Sequence, residues 1–463
     1  MLLDILMTDN SQLGPDARYC LSRFALRFGD REAEGLSTKE LAKGFGVSEQ
    51  VMSASLKALV DAGALICRSV LTGKKGRAGR FYRVSKEWVK GDSDSCHLEA
   101  ITELLQQPRV SMDSLPVDYP PKADYEDKLG KARVRGITVR KTRQLGRLSN
   151  VNRLIMAVLL CRADRLGVVR TLGHADLLKL TGLNSGRLSN RIKTLLTGGL
   201  IRTYVPGATS TALFRPTKSF YFLNLGHPDL ADPQQVVTSI VFRYPWEGEE
   251  IEGEAGVIFR TKVSSDDRFT TFFNDKHELA VSRVFQVRID EYVSCFLSTS
   301  WPSLGSIPHT CNTVLMDRIR EDFKPPRSKT DGEADIFPDE GELQRLLKML
   351  YRASLRKAKR IQMVMQSVVG VDFHSMDHLV LPSPVVLFGG DPIFPFASVL
   401  SAPRSVSNGS GCYVVDLRIS SHVCFSTEQE ISLEDRYCYG LLTPPEGQLT
   451  VVAGKEDIHV VRR

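Results

Sequence analysis

A segment that occurs twice constrains the fold of this chain more than any other feature. Residues 36–65 and 172–201 align without a gap, and the positions that should be buried carry apolar side chains in both copies. The matched pairs include Leu41 with Leu177, Met52 with Leu188, and Leu59 with Leu195. Because a repeated segment repeats its supersecondary structure, we expect two copies of one small unit, called the first repeat and the second repeat below.

Each repeat carries the signals of two short helices joined by a tight turn. Ser37 followed by Glu40 is a capping box that starts the first helix. Gly46 permits the turn, and Ser48 is a good N-cap for the second helix. Asn184 stands at that cap position in the second repeat. The two helices are therefore predicted to meet at a steep angle, as in a helix-turn-helix.

Strand patterns follow each repeat, and an apolar helix pattern precedes it. Gly63 or Gly199 ends the second helix as a left-handed C-cap. The chain then reads ALICRSVL, GKKGRAGR and FYRVS after the first repeat, which predicts a strand, a basic glycine-rich turn and a strand. After the second repeat it reads LIRTYV, PGATSTA and SFYFLNL, which predicts the same arrangement with an uncharged turn.

The pattern LSTKELAKGFGVS…VMSASLKALVDAGAL, followed by its basic hairpin, resembles the winged helix-turn-helix superfamily in its bacterial transcription-regulator form. The resemblance covers about a third of the 463-residue chain. It implies that the second helix of each repeat enters the major groove of DNA and that the hairpin contacts the backbone or the minor groove.

The residues of the first repeat suit contacts to the DNA backbone. Gln50, Ser53 and Lys57 lie on the helix face away from the apolar stripe; Gln50 suits adenine edges and Lys57 suits phosphate. The hairpin turn adds cations among glycines, which let a loop approach phosphates closely. These predicted contacts are Lys74, Lys75, Arg77 and Arg80.

The second repeat places its cations on the helix instead. Four side chains of its second helix suit base edges or phosphate: Arg187, Asn190, Arg191 and Lys193. The turn PGATSTA carries no charge. We therefore expect the first repeat to grip the backbone and the second to read the base sequence.

Charge is distributed unevenly along the chain. Residues 1–225 hold 36 Lys+Arg and 21 Asp+Glu, a net charge of +15, whereas residues 226–463 hold 25 and 33, a net charge of −8. Segment 128–153 has nine Lys/Arg and no acidic residue, and such a run is favoured against phosphate. Five of its cations join the predicted DNA surface: Arg133, Arg135, Arg140, Lys141 and Arg143.

The expected fold class is multidomain α+β, with two N-terminal winged-helix units followed by a mixed α/β C-terminal region. The expected boundaries are 1–90 for the first winged helix, 91–148 for a linker with a basic connector, 149–225 for the second winged helix, 226–323 for a mixed α/β region, 324–342 for a linker or mobile loop, and 343–463 for a basic helix with a β-rich C-terminal region.

Two helices are predicted in the C-terminal half. Residues 276–297 read as an amphipathic helix. The basic helix carries the cluster Arg356, Lys357, Lys359 and Arg360, which either extends the DNA surface or faces solvent.

Motifs for enzymatic chemistry are weak. The sequence has no Walker-type phosphate loop and no dinucleotide-binding fingerprint, so we expect no nucleotide cofactor. Several His, Cys and Asp residues lie near one another along the chain, but their spacing matches no zinc or nuclease motif, so we assign no metal or catalytic residue. These are His309, Cys311, His374, His378, His422 and Cys424, with Asp372, Asp377, Asp391 and Asp416.

Composition places the protein in the cytoplasm, on the nucleoid, rather than in a membrane or outside the cell. No apolar run reaches the roughly 18–20 residues that a bilayer span needs. The nine cysteines are odd in number and lack paired spacing, which is typical of reduced thiols.

We therefore expect a sequence-selective, double-stranded DNA-binding protein without catalytic activity, most simply a transcriptional regulator that binds through two unequal winged-helix units. A second hypothesis is a replication initiator or partition protein of a plasmid or integrative element, because tandem winged helices resemble that group too. A third is a DNA-targeted effector with a catalytic or partner-binding centre in 226–463, and a fourth is a scaffold whose winged helices dock protein. In each case residues 226–463 are available for a protein partner or for self-association.

Overall fold

The computed structural model describes residues 1–9, 12–33, 35–70, 79–88, 94–106, 148–208, 216–230, 238–243, 279–306, 313–323, 340–368, 370–382, 386–388, 391–393, 396–404, 412–416, 421–444, 448–453 and 457–462. The chain forms two compact units. The first comprises Met1–Thr8, Gln12–Asp92 and Thr102–Ala157, and the second comprises Asp9–Ser11, Ser93–Ile101 and Val158–Arg463. The fold is α+β, as the sequence predicts, with small and mainly antiparallel sheets beside helices.

In the first unit, helices precede a hairpin. The helices are α1 (Leu2–Met7), α2 (Pro15–Phe28), α3 (Thr38–Phe45) and α4 (Glu49–Asp61), and antiparallel pairing joins β1 (Leu65–Val70) to β2 (Gly79–Val84). The apolar faces of α2, α3 and α4 meet the inner face of the hairpin in one core, in which Phe24, Phe45, Met52 and Leu59 are fully buried. The first repeat and its two strands therefore form a single packed structure.

Helix α5 (Leu98–Gln106) lies inside the segment that the sequence assigns to a linker. Its Ile101, Leu104 and Leu105 are buried, and the Nε2 atom of His97, just before the helix, lies 2.8 Å from the Asp164 carbonyl oxygen. The sequence also predicts one short helix around LEAITELLQQ in this segment, and its apolar side chains recur at helical spacing and are packed. Helix α6 (Asn150–Leu160) follows residues 107–147, which lie outside the described part of the chain.

The second repeat has the same order of elements as the first. Strand β3 (Val168–Val169) precedes α7 (His174–Thr181) and α8 (Ser185–Thr197), which are followed by β4 (Ile201–Val205) and β5 (Phe220–Leu223). The sheet order is β3-β5-β4, with Val169 opposite Tyr221. In the first unit a single antiparallel bridge between Ala33 and Tyr82 stands in the place of β3. The two copies thus share a short first strand that no sequence pattern indicated.

The remaining helices are α9 (Leu279–Thr299), α10 (Thr313–Asp322), α11 (Glu340–Gln366) and α12 (Leu433–Cys438). One sheet has the order β12-β11-β6-β10-β7 and another has the order β14-β13-β8-β9. The strands are β6 (Thr238–Arg243), β7 (Met376–Val380), β8 (Val386–Phe388), β9 (Asp391–Ile393), β10 (Phe396–Pro403), β11 (Cys412–Asp416), β12 (Ser421–Phe425), β13 (Gln448–Ala453) and β14 (Asp457–Arg462). Eight of these strands lie between residues 376 and 462, whereas residues 324–339 of the expected loop lie outside the described part.

Helix α9 covers most of the amphipathic helix predicted at 276–297, and hydrophobic cores cover two of its sides. Phe285 and Ile289 lie in one hydrophobic core, and Val284 and Val287 lie in another. Because both sides of the helix meet apolar partners, its polar side chains are buried too, and they must find partners inside the protein. Glu291 does so through ion pairs with Arg170, Arg288 and Arg318.

One core extends across residue 225, where the sequence places a domain boundary. Val205 and Phe220 of the second repeat's sheet pack in the same buried cluster as Val287 of α9, Leu400 of β10 and Leu441. The second repeat therefore shares its core with the C-terminal elements. The sequence does not indicate this shared core, because the apolar residues before and after residue 225 form ordinary strand and helix patterns. Contact between those elements leaves no signal within either pattern.

No helix in the described ranges is both long enough and apolar enough to cross a bilayer.

Candidate nucleic-acid interface

Side-chain hydrogen bonds fix the two helices of the first repeat. Oγ of Ser37 accepts a hydrogen bond from the N–H of Glu40 at 3.2 Å, and Oε2 of Glu40 accepts one from the N–H of Ser37 at 2.8 Å. These bonds lower the pKa of the Glu40 carboxyl. Gly46 has a left-handed φ of 68°, and Oγ of Ser48 accepts from the N–H of Val51 at 3.2 Å. The predicted capping box, turn glycine and second N-cap are confirmed.

Helix α4 has one buried face and one exposed face. Met52 and Leu59 are fully buried. The three side chains predicted to contact DNA, Gln50, Ser53 and Lys57, are all exposed. The helix thus presents an amide, a hydroxyl and an ammonium to solvent on the face opposite its core, which are groups suited to base edges and phosphates.

The hairpin of the first unit contributes Arg80 to the same set of candidates. Arg80 is exposed on β2 opposite Ser69, and it donates a hydrogen bond to the buried Tyr82 hydroxyl, whose pKa is raised by burial. Lys74, Lys75 and Arg77 lie in residues 71–78, outside the described part of the chain. Of the four predicted hairpin cations, Arg80 alone lies in the described part of the chain, at the base of the hairpin.

Another arginine of the hairpin serves the fold instead. The Nε atom of Arg68 on β1 donates to Oε1 of Glu32 at 2.7 Å, and its guanidinium lies 5.2 Å from the centre of the Phe81 ring. The ion pair lowers the pKa of the Glu32 carboxyl. Arg68 already has an acidic partner, so we do not add it to the candidates.

The second repeat is built on the same scheme with different side chains. Gly182 has a left-handed φ of 69°, and Oδ1 of Asn184 accepts from the N–H of Arg187 at 2.9 Å. Arg187, Asn190 and Lys193 are exposed along α8, while Arg191 is half-buried. Leu188, Ile192 and Leu195 form the opposite, buried face. The structure therefore brings the four predicted residues together on one short helix.

The exposed faces of α4 and α8 carry the same polar residue at two aligned positions, Ser53 with Ser189 and Lys57 with Lys193, and differ at others. Ala54 is replaced by Asn190, so the exposed face of α8 carries one more hydrogen-bonding group at that point. Two copies of one scaffold thus present different polar surfaces.

The described residues on either side of segment 107–147 lie beside α3 in the first unit. The guanidinium of Arg23 donates to the Leu105 carbonyl, at the end of α5, and to the Gly44 carbonyl at 2.8 Å. The amide of Asn150, at the start of α6, donates to the Gly46 carbonyl at 3.5 Å. Segment 107–147 therefore leaves and re-enters described structure next to the first repeat. Its cations Arg133, Arg135, Arg140, Lys141 and Arg143 lie outside the described part.

Sequence reasoning missed Arg23 and Asn150 as positioning residues. The available signal was an arginine inside the apolar helix pattern RYCLSRFALRF. Burial lowers the pKa of Arg23, and the nearby Arg153 and Arg27 lower it further. The Arg27 guanidinium also lies close to Gly44, because a Cβ at that position would be 2.2 Å from Nη1 of Arg27.

The weak candidates for chemistry in the C-terminal half have structural partners. His374 and His378 do not share a helix: the first lies in a 3-10 turn and the second on β7. His378 is buried, with Nδ1 2.8 Å from Oγ of Ser401 and Nε2 3.0 Å from the Phe373 carbonyl oxygen, and burial lowers its pKa to about 4. It is a neutral core histidine at physiological pH.

The acidic candidates are also accounted for where they can be described. Asp372 caps the 3-10 turn through the N–H of His374, and Asp377 is 2.8 Å from Nε of Arg404. Within the described ranges, His, Cys, Asp and Glu side chains form no group that could hold a metal ion. His309 and Cys311 lie outside those ranges.

Comparison with protein-family models, with curated proteins and with solved structures finds no match to this chain.

Proposed function

We propose that this protein is a sequence-selective double-stranded DNA-binding protein, most simply a transcriptional regulator, which uses α4 and α8 as recognition helices of two winged-helix units. One observation carries the proposal. Both repeats have the same order of elements, and in both the second helix buries its apolar face and exposes polar and basic side chains. A helix that packs one face on a core and exposes polar side chains on the opposite face can enter a major groove.

The exposed side chains support different tasks for the two helices. In the first unit the exposed cations Lys57 and Arg80 suit phosphate, and Gln50 is the one base-reading candidate among its described residues. In α8, Arg187 suits the O6 and N7 acceptors of guanine, and Asn190 suits the N6 and N7 groups of adenine. We infer that the first repeat supplies affinity and the second supplies sequence preference.

Because the second repeat shares its core with the C-terminal elements, DNA binding should be tested on the intact chain rather than on an N-terminal fragment. Because the second repeat buries its sheet in the same core as α9 and β10, a fragment that ends at residue 225 would expose that apolar surface. Experiments on DNA recognition therefore use the intact chain.

Replacing Arg187 or Asn190 with alanine is expected to relax base preference at one position of the preferred site, by about 1–3 kcal/mol. The preferred site is first selected from random duplexes with the intact protein. Affinities for that site and for its single-base variants are then measured by fluorescence anisotropy. Binding to unrelated sequence should change little, because that binding comes from phosphate contacts.

Lys179→Ala is the matched control. Lys179 is an exposed cation on α7 that pairs with Asp9, with Nζ 3.7 Å from the carboxylate, and it is not on α8. It should leave base preference unchanged. If the intact protein selects no sequence, or if Arg187→Ala and Asn190→Ala keep the full preference, α8 is not a reading helix. Capture of protein but no duplex would favour the docking-scaffold hypothesis.

A further inference from the structure

A stripe of cations runs along the exposed side of α11. Arg345, Lys348, Arg352 and Arg356 follow one another at spacings of three and four residues, which places them on one face of the helix. All four are exposed. We call these four residues the α11 stripe. At a rise of about 1.5 Å per residue, the stripe presents one cation roughly every 5–6 Å over about 16 Å.

Of the neighbouring cluster that the sequence suggested, only Arg356 belongs to this stripe. Lys357 points into the protein, where its Nζ atom is 2.8 Å from Oδ1 of Asp290, and both side chains are buried. Lys359 is half-buried and donates to the Gly305 carbonyl at 3.4 Å. Adjacency in the chain therefore grouped residues that point in different directions. The exposed charge begins eleven residues earlier than the cluster does.

The two glutamates of α11, Glu340 and Glu342, lie in its first turn, and no acidic residue follows them along the stripe. Residues 343–371 contain seven Lys/Arg and no Asp or Glu, although residues 226–463 as a whole carry a net charge of −8. Among the residues that the structure describes, Lys348, Arg352 and Arg356 have no ion-pair partner. Like charges at i and i+4 destabilise a helix. An arrangement that is unfavourable by itself becomes favourable against a polyanion.

The apolar side of α11 argues against a membrane surface as the ligand of the α11 stripe. Leu347, Leu350, Ile361 and Met365 are fully buried in the hydrophobic core that α11 shares with α9. A helix that lies in a membrane surface needs that side for the lipid. A protein-docking surface normally has aromatic or aliphatic anchors at its centre, whereas the stripe offers only guanidinium and ammonium groups.

We propose that the α11 stripe binds the phosphate backbone of double-stranded DNA, as a third contact surface in addition to the two recognition helices. The proposal rests on the proposed function, since it takes the ligand to be the same duplex. Three of the four cations are arginines, and one guanidinium group can donate hydrogen bonds to two phosphate oxygens at once. The stripe adds affinity without base preference and makes the C-terminal region part of the DNA-holding surface.

The test uses the intact protein and a mixed-sequence duplex of about 30 base pairs, with binding measured by fluorescence anisotropy across a range of salt concentrations. Lys348→Ala/Arg352→Ala/Arg356→Ala should make the slope of log K against log salt shallower by about 3 units, close to 0.9 for each lost phosphate contact. Affinity at 0.1 M salt should fall by at least about 10-fold, equally for preferred and unrelated sequences.

Two matched variants separate charge from structure. Arg352→Ala should change the slope by about 0.9, whereas Arg320→Ala, an exposed arginine on α10 that pairs with Asp317, should leave it unchanged. Arg352→Lys/Arg356→Lys should keep most of the wild-type slope, because it keeps the charges. Circular dichroism should show the same helix content in every variant.

The outcomes distinguish the two proposals. If the wild-type protein binds no duplex at low salt, the proposed function fails and this inference fails with it. If the wild-type binds and Arg187→Ala relaxes its preference, but the triple variant keeps the wild-type slope, the inference about α11 alone is overturned. A shallower slope in Arg320→Ala as well as in Arg352→Ala would also overturn it, because any surface cation would then suffice.

Discussion

Replacing Lys357 with methionine is expected to lower the free energy of unfolding of the second unit by about 3–5 kcal/mol. Nζ of Lys357 is 2.8 Å from Oδ1 of Asp290, and both residues are buried between α9 and α11. Gln286 also donates to Oδ1 of Asp290, at 3.1 Å. Without the ammonium group the Asp290 carboxylate would stay in the core with no opposite charge, which is far more costly than the loss of one contact.

Urea unfolding followed by circular dichroism measures this effect, and two further variants interpret it. Lys348→Met makes the same change at an exposed position of the same helix and should shift stability by less than about 0.5 kcal/mol. Asp290→Asn combined with Lys357→Met should recover much of the loss, because asparagine carries no charge and keeps an oxygen for Gln286. If Lys357→Met and Lys348→Met are equally stable, the buried ion pair contributes nothing.

The deficit of Lys357→Met should also depend on pH. Burial raises the pKa of Asp290, and Lys357 opposes that rise. In the variant the folded pKa rises further above the unfolded value of about 3.9. The folded state then holds the proton more tightly, so stability is lost as pH rises through the folded pKa. The deficit should therefore be small near pH 4 and largest near neutral pH, and Asp290→Asn should remove this dependence.

Replacing Glu428 with alanine is expected to have a similarly large effect, on the strand that follows α8. The carboxylate of Glu428 forms two hydrogen bonds with the guanidinium of Arg202 on β4, at 2.8 and 2.7 Å; Arg202 is buried and Glu428 is mostly buried. The Arg202 carbonyl accepts from the N–H of Thr443 at 2.7 Å. An arginine left in this core without its carboxylate should cost about 3–5 kcal/mol.

Hydrogen exchange locates the damage as well as measuring stability. Amides of β4 and β5 should lose protection in Glu428→Ala, because Arg202 joins these strands to the loop that holds Leu441 and Thr443. The control is Glu321→Ala, an exposed glutamate on α10 of the same unit, which should change neither the protection nor the unfolding midpoint. Unchanged protection of β4 in Glu428→Ala would show that the pair does not hold the strand.

The local parts of the fold could be predicted from the sequence because their causes are local. Ser37 and Glu40 lie three residues apart, and Asn184 caps its own helix, so the chain letters alone specify these hydrogen bonds. The exposed positions of Gln50, Lys57 and Arg187 follow from the helical period in the same way. Each of these predictions depends on residues within one or two turns of each other.

The parts that could not be predicted depend on partners far away in the chain. Helix α9 looks amphipathic because Asp290 and Glu291 are charged, yet the partners that permit their burial lie at Lys357, 67 residues later, and at Arg170, 121 residues earlier. The same is true of Arg202 and Glu428, which are 226 residues apart. No window of sequence contains both members of such a pair, so periodicity assigns them to the surface.

The candidate site shows the same division. The pattern placed the polar faces of α4 and α8 correctly, but it did not show that the second repeat shares its core with the C-terminal elements. Nor did it show that the residues flanking segment 107–147 lie beside α3. Both facts depend on contacts between elements rather than on the elements themselves.

The salt dependence of DNA binding by the intact chain tests the central claim most directly. A protein that grips duplex through two recognition helices and further cations should lose about 10³-fold or more in affinity between 50 and 200 mM salt, as expected for six or more phosphate contacts. Unrelated duplexes should show the same steep slope at lower affinity. Absence of binding to any duplex at low salt, or an affinity that does not change with salt, would contradict the account.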